Sequence, residues 1–135
     1  MNDNECKFMA RRFRGYYPVV VDVETGGFNK DKDALLEIGA VTLKIDESGN
    51  MTTNNQYHCH INPFEGANME PASMEINGID PHHPFRIAAA KDEETGVREL
   101  FRFIHKEMKQ YKCKRAIMIG HNTTLDRDFI FAAAE

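Results

Sequence analysis

One strand-forming segment constrains the fold more than any other part of the chain. Residues 18–27 read PVVVDVETGG, in which valines alternate with acidic residues before a glycine pair. A β-branched run that ends in glycines favours a buried strand followed by a turn. Asp22 and Glu24 stand two residues apart, so on a strand both side chains leave the same face while the valines take the other. The chain must therefore place two carboxylates at the end of an otherwise apolar strand.

These carboxylates need a compensating cation or hydrogen-bond donors, because burying unpaired charge costs several kcal/mol. A divalent metal ion answers that need, and the alternative is a solvated strand end paired with Lys or Arg. Asp126 follows the strand RAIMIG at the start of a helix, so it can approach the same sheet end from a parallel strand. The alternative for Asp126 is a capping box with Thr123.

The remaining sequence predicts an α/β domain with a mixed sheet. ALLEIGAVTLKID and QYHCHINP read as further strands, joined by the turn DESGN, so the first three strands form an antiparallel meander. Helices are predicted from Pro71 to Gly78, from about 95 to 111 and from about 124, with NGIDPHHP as a loop. Because a helix precedes RAIMIG, that strand is predicted to run parallel to an earlier one.

Composition narrows the function classes. A chain of 135 residues fits one domain, and its net charge of -4 argues against an extended basic footprint for duplex nucleic acid. It has no apolar run long enough for a membrane span and no secretory signal, so we expect a cytoplasmic protein. The three cysteines lie far apart in the sequence, so we expect them to be packing residues and not a disulfide or zinc framework. Residues 1–15 carry the basic cluster RRFR and are predicted to be a frayed N-terminal arm.

The acidic motifs resemble those of a known family. DVETGGF at 22–28 and HNTTLDRDF at 121–129 resemble the first and second motifs of the DEDD 3′–5′ exonucleases, which include proofreading subunits and oligoribonuclease. RRFRGYYPVVVDVETGGFN, DALLEIGAVTLK, NGIDP and CKRAIMIGHN extend this resemblance to the ribonuclease T branch along nearly the whole chain. The resemblance implies a ribonuclease H-like exonuclease fold over residues 16–135.

The resemblance also implies a reaction. Asp22, Glu24 and Asp126 would be the catalytic carboxylates that bind two Mg²⁺, or Mn²⁺, for 3′–5′ trimming of tRNA and other stable RNAs. Two alternatives stay open: a DNA-directed proofreading or repair exonuclease, and a non-catalytic RNA-binding or dimerisation module.

Substrate contacts follow from the same resemblance. Phe28 would stack on a 3′-terminal base, and three arginines would bind the RNA body from the partner subunit of a homodimer. Ile76 and Leu125 occupy positions where the family commonly has phenylalanine. The residues assigned to substrate in this way are Thr25, Phe28, Ile76, Asn77, Leu125, Arg12, Arg14 and Arg115.

The family pattern contains a third motif, a histidine base followed five residues later by a fourth metal-binding aspartate. The only H-x-x-x-x-D spacing in this sequence, His121 to Asp126, overlaps the second motif. We therefore expect an exonuclease domain that lacks its C-terminal part and has little activity alone. His58 and His60 share one strand face, but with no third ligand in spacing we expect no metal there.

Overall fold

A computed structural model describes residues 3–135 as an α/β domain built around one mixed sheet. Its elements in chain order are α1 (Asp3–Arg12), β1 (Tyr16–Thr25), β2 (Leu35–Ile45), β3 (Met51–His60), α2 (Pro71–Asn77), α3 (Pro84–Ala89), α4 (Glu93–Gln110), β4 (Arg115–Ile119) and α5 (Thr123–Ala134). The strand order is β3-β2-β1-β4. β1, β2 and β3 pair antiparallel and β4 pairs parallel to β1, which confirms the predicted meander and parallel strand.

The two faces of β1 divide the core from the acidic residues. Val19, Val21 and Val23 are buried in the hydrophobic core, which Val97 and Leu100 of α4 also join. Asp22 is exposed and Glu24 half-buried on the opposite face. The period of two in the sequence therefore sets which side of the sheet carries the carboxylates.

Most helix limits follow their sequence signals. α2 begins at Pro71 and ends at Asn77; Gly78 follows as its C-cap, with a φ of 68°, the left-handed conformation that glycine adopts readily. α3 was not predicted: the expected loop NGIDPHHP ends in Pro84, the first residue of this helix, and His83 caps it by accepting from the Phe85 amide. A proline at the first helical position after a capping residue is the signal that identifies α3.

The N-terminal segment differs from its prediction. The frayed arm expected over residues 1–15 contains α1, whose Met9 is fully buried, and Phe13 beyond it packs against the core. Residues 1–2 lie outside the described part of the chain. Apolar residues among the basic ones thus pack this segment against the sheet. The start of the exonuclease domain at residue 16 stays a prediction. Across residues 3–135, no helix has the length and hydropathy that a membrane span requires.

Candidate active site

The predicted carboxylates of β1 face a small cavity. Asp22 lies opposite Gly39 of β2, and Glu24 lies opposite Glu37. A cavity of about 110 Å³ is lined by Asp22, Glu24, Glu37, Gly39 and His58. The absence of a side chain at Gly39 leaves room beside Asp22, so the acidic strand end is open to a ligand.

Asp126 joins β1 from the other side. It lies in the first turn of α5, is 2% exposed, and its Oδ1 accepts a hydrogen bond from the Val23 amide at 2.9 Å. Val23 is the residue between Asp22 and Glu24. The capping-box alternative is wrong, because α5 has Asn122 as its N-cap and Asp126 therefore lies one position beyond the residue that such a box uses.

Gly120 permits this approach of α5 to β1. A Cβ atom at Gly120 would lie 2.7 Å from the Val21 carbonyl oxygen and 3.7 Å from Asp126 Oδ2. Any larger residue would push the turn after β4 away from the strand. Gly120, which directly follows β4, thus allows the close packing that brings the two acidic motifs together.

Burial and mutual repulsion both oppose ionisation of the carboxylates at this site. Burial raises the pKa of Glu24, and Asp22, Glu37 and Asp126 raise it further. Burial also raises the pKa of Asp126; the Val23 amide opposes this effect, and the charge of Asp22 adds to it. Among the described residues, Asp126 Oδ2 is buried with no hydrogen-bond partner.

The donor chemistry of these residues suits a divalent cation, although the ligand atoms of Asp22, Glu24 and Asp126 do not all lie within 4.8 Å of one another. Such a cation would supply the partner that Asp126 Oδ2 lacks and offset the repulsion between the carboxylates. An all-oxygen donor set suits Mg²⁺ or Mn²⁺. The assignment of Asp22, Glu24 and Asp126 as metal ligands stays a prediction.

The tightest group of metal-ligating side chains lies beside these acids. In the described part of the chain, Glu37, His58 and His60 are the one trio of possible ligands whose donor atoms all lie within 4.8 Å of one another. The expectation that the two histidines lack a third ligand is wrong. Their partner comes from β2, since Glu37 is paired with His60 across the sheet. A search of spacing along β3 alone misses it.

The loop that follows β1 presents Phe28 to solvent. Phe28 is 82% exposed, while Asp33 at the far end of the loop is buried. Asp33 Oδ2 accepts from the Asn29 amide at 2.9 Å, and a Cβ atom at Gly27 would overlap the Asp33 carboxylate. Gly27 and Asp33 therefore close the loop tightly, so that the aromatic ring points outward.

The other predicted substrate residues near the acids are joined through α2. Asn77 Nδ2 donates to the Thr25 carbonyl oxygen at 3.1 Å, which fixes α2 to the end of β1. Ile76, its neighbour, is 88% exposed. Leu125 is half-buried and packs on the core beside Asp126. Phe28 and Ile76 are thus free for an apolar contact, whereas Leu125 has much of its surface covered.

The three predicted arginines lie at the other end of the sheet. Arg12 and Arg14 are exposed just before β1, and the exposed Arg115 begins β4 opposite Tyr16. A strand advances ~3.3 Å per residue, so Tyr16 and Asp22 are about 20 Å apart along β1. The arginines and the carboxylates therefore do not meet in one site within a single chain.

The sequence is similar to those of known exonucleases. The exonuclease family RNase_T matches residues 19–135. Over the whole chain, the sequence is 49% identical to a ribonuclease T of Enterobacter sp. (strain 638) and 51% identical to one of Photorhabdus laumondii. The chain spans about 60% of the length of these curated relatives.

Solved structures support the fold. Exonuclease I of E. coli in complex with a dT13 oligonucleotide superposes with a TM-score of 0.64 at 16% identity. The match covers 85% of this chain and 22% of exonuclease I. The predicted exonuclease fold and the resemblance that led to it are thereby confirmed.

Proposed function

The chain belongs to the exonuclease family RNase_T. We propose that it carries the acidic site of a metal-dependent 3′–5′ exoribonuclease. Its substrates would be the single-stranded 3′ ends of tRNA and other stable RNAs in the cytoplasm. The observation that carries the proposal is the hydrogen bond from the Val23 amide to Asp126, which joins the second acidic motif to the first. Asp22, Glu24 and Asp126 are the proposed catalytic carboxylates.

The roles of these residues follow from their surroundings. When bound, two Mg²⁺ ions would activate water and stabilise the departing 3′ oxygen. Asp22 is exposed and can meet a ligand first, whereas Asp126 is held at a fixed position by the Val23 amide. The raised pKa values of Glu24 and Asp126 indicate carboxyls whose ionised forms gain most from a nearby cation.

Exposed side chains near the carboxylates support the proposed binding of a single-stranded 3′ end. Phe28 would stack on the terminal base, a contact worth roughly 1–3 kcal/mol, and Ile76 would offer a second apolar surface. Asn77 would act by holding Thr25 in place, through the bond that it donates to the Thr25 carbonyl. A single strand suits this arrangement because its terminal base can be splayed onto an aromatic ring.

We also propose that the working form is a homodimer. Arg12, Arg14 and Arg115 are about 20 Å from the acids along the sheet. A short 3′ end bound at one chain's carboxylates would not reach the same chain's arginines. Arginines from a partner subunit could instead hold the RNA body.

The test of the proposal is a nuclease assay on two forms of the protein. One is the 135-residue chain, and the other is that chain extended by the C-terminal segment of a curated relative that carries the third motif. We expect the extended form with Mg²⁺ to shorten a 5′-labelled RNA stepwise from its 3′ end. The chain alone should be slower by about 10²–10⁴-fold, the usual contribution of a general base.

Asp126→Asn should abolish the activity of the extended form, and Asp128→Asn is the matched control on the same helix. Asp128 pairs with Arg127 at the surface, so its replacement should change little. Absence of 3′ shortening by the extended form would refute the proposal. Faster shortening of a matched DNA tail would favour the second candidate, a DNA-directed exonuclease, which the likeness to an exonuclease I bound to dT13 brings into consideration.

A further inference from the structure

Two histidines and one glutamate converge on the solvent-facing side of β2 and β3. His58 Nε2 lies 2.9 Å from Glu37 Oε1, and His60 Nδ1 lies 3.3 Å from the same oxygen. The two imidazole rings meet edge to face with their centroids 4.9 Å apart. Three ligating side chains therefore point at one small volume.

Hydrogen bonding leaves this cluster incomplete. His60 Nδ1 is buried and, among the described residues, has no partner with hydrogen-bond geometry, although the Glu37 oxygen is close. His58 Nε2 is bonded to that same oxygen. One carboxylate oxygen thus faces two ring nitrogens and satisfies one of them, whereas a metal ion could accept lone pairs from both rings and the carboxylate.

The distances suit a transition metal. Zn²⁺ binds imidazole nitrogen and carboxylate oxygen at ~2.0–2.2 Å, so two ligands of a tetrahedral ion lie about 3.3 Å apart. The separations of 2.9 and 3.3 Å, with all donor atoms within 4.8 Å, need only small side-chain shifts to reach that arrangement. The cavity of about 110 Å³ beside His58 leaves space for a further ligand.

The strands that carry the cluster are held together by a buried cation. Arg86 of α3 donates through Nη2 to the carbonyl oxygens of Leu36 at 2.5 Å and Ile61 at 2.7 Å. Leu36 precedes Glu37, and Ile61 follows His60. Arg86 therefore fixes β2 and β3 at the point where their ligands meet, which reduces the ordering that metal binding requires.

We propose that Glu37, His58 and His60 form a binding site for a divalent transition metal of the Zn²⁺ class, distinct from the all-carboxylate site. Two imidazoles and one carboxylate favour Zn²⁺ over Mg²⁺, whereas Asp22, Glu24 and Asp126 offer only oxygen. The two sites share one cavity wall, because Glu37 is the cross-strand neighbour of Glu24.

Zn²⁺ binding in the presence of excess Mg²⁺, which occupies the carboxylates, tests this site. Under that condition, isothermal titration with Zn²⁺ and visible absorption with Co²⁺ as a spectroscopic substitute should both report one ion per chain. His58→Gln and His60→Gln should each weaken binding at least tenfold. His82→Gln, which changes an exposed histidine outside the cluster, and Asp22→Asn should leave it unchanged.

Retention of one tight Zn²⁺ in His58→Gln would overturn the proposal, as would absence of Zn²⁺ binding by the parent chain. An equal loss of binding in Asp22→Asn would place the ion with the carboxylates and overturn it as well. The His58 side chain is 56% exposed, so His58→Gln should fold. That variant decides the question even if His60→Gln does not fold.

Discussion

At the scale of single residues, the environment of Glu24 is what makes the site responsive to pH and metal. Its side chain is half-buried, and three other carboxylates act on it. Its raised pKa means that the folded state holds its proton to higher pH than the unfolded chain does. Ionisation of Glu24 therefore lowers the stability of the metal-free protein as pH rises through that interval.

Glu24→Gln should consequently raise the melting temperature of the metal-free protein at pH 7. The gain should shrink towards pH 4, below the ordinary Glu pKa of 4.5, where the glutamate is protonated in both states. Thermal unfolding in EDTA across this pH range measures it. With saturating Mg²⁺ the order should reverse, since the variant loses a metal ligand. An equal gain at both pH values would contradict the account of Glu24.

Phe28 offers a second test at this scale, with a control of equal exposure. Phe28→Ala should weaken binding of a short single-stranded RNA by about 1–3 kcal/mol, the value of a base-stacking contact. Phe85 is 83% exposed against 82% for Phe28 and belongs to α3. Phe85→Ala should leave affinity unchanged in fluorescence anisotropy. Equal losses in both variants would mean that Phe28 is not a specific contact.

At the scale of elements, the strands could be predicted from the sequence but their register could not. The hairpin pairs Ile45 with Met51, and continuing that register would set Glu37 opposite Cys59. An irregularity between Val41 and Leu43 shifts the pairing by one residue, so Glu37 faces His60 instead. A one-residue shift exchanges the faces of a strand, so the sequence could not show that Glu37 shares the face of His58 and His60.

The acidic motifs, by contrast, were predictable because their signals are local. Asp22 and Glu24 stand at period two on a valine strand, and Asp126 follows a strand by one short turn. What sequence could not give is the partner of Asp126. The choice between a helix cap and a bond to Val23 depends on which residue begins α5, and packing of α5 on β1 decides that.

Arg86 tests how α3 supports the sheet. Arg86→Ala removes two charge-assisted hydrogen bonds from a buried side chain, so we expect a loss of about 2–4 kcal/mol in the free energy of unfolding. Arg98→Ala is the control: it removes an exposed ion pair with Glu94 within α4, worth about 0.3–0.5 kcal/mol. Urea denaturation compares them. Similar losses in the two variants would show that Arg86 does not anchor the strands.

At the scale of the whole molecule, the carboxylates and the arginines occupy opposite ends of β1. This separation predicts that Arg12 and Arg14 affect long substrates and not short ones. Replacing both with Ala should weaken binding of a tRNA-like RNA and reduce its salt dependence by roughly 0.7–0.9 in log–log slope for each lost phosphate contact.

Trinucleotide binding should hardly change in this double variant. The control is Arg98→Ala with Arg102→Ala, which removes two exposed arginines from α4. Anisotropy titrations at several salt concentrations provide the measurement. Equal weakening of the trinucleotide and the long RNA would indicate that the arginine pair acts through folding of α1.

The measurement that most directly tests the central claim is the effect of Mg²⁺ or Mn²⁺ on thermal unfolding. If Asp22, Glu24 and Asp126 bind a divalent cation, either ion should raise the melting temperature of the chain, because a ligand of the folded state stabilises it. Asp22→Asn should abolish that rise, and Asp31→Asn, at an exposed loop position, should preserve it. A rise of undiminished size in folded Asp22→Asn would contradict the account.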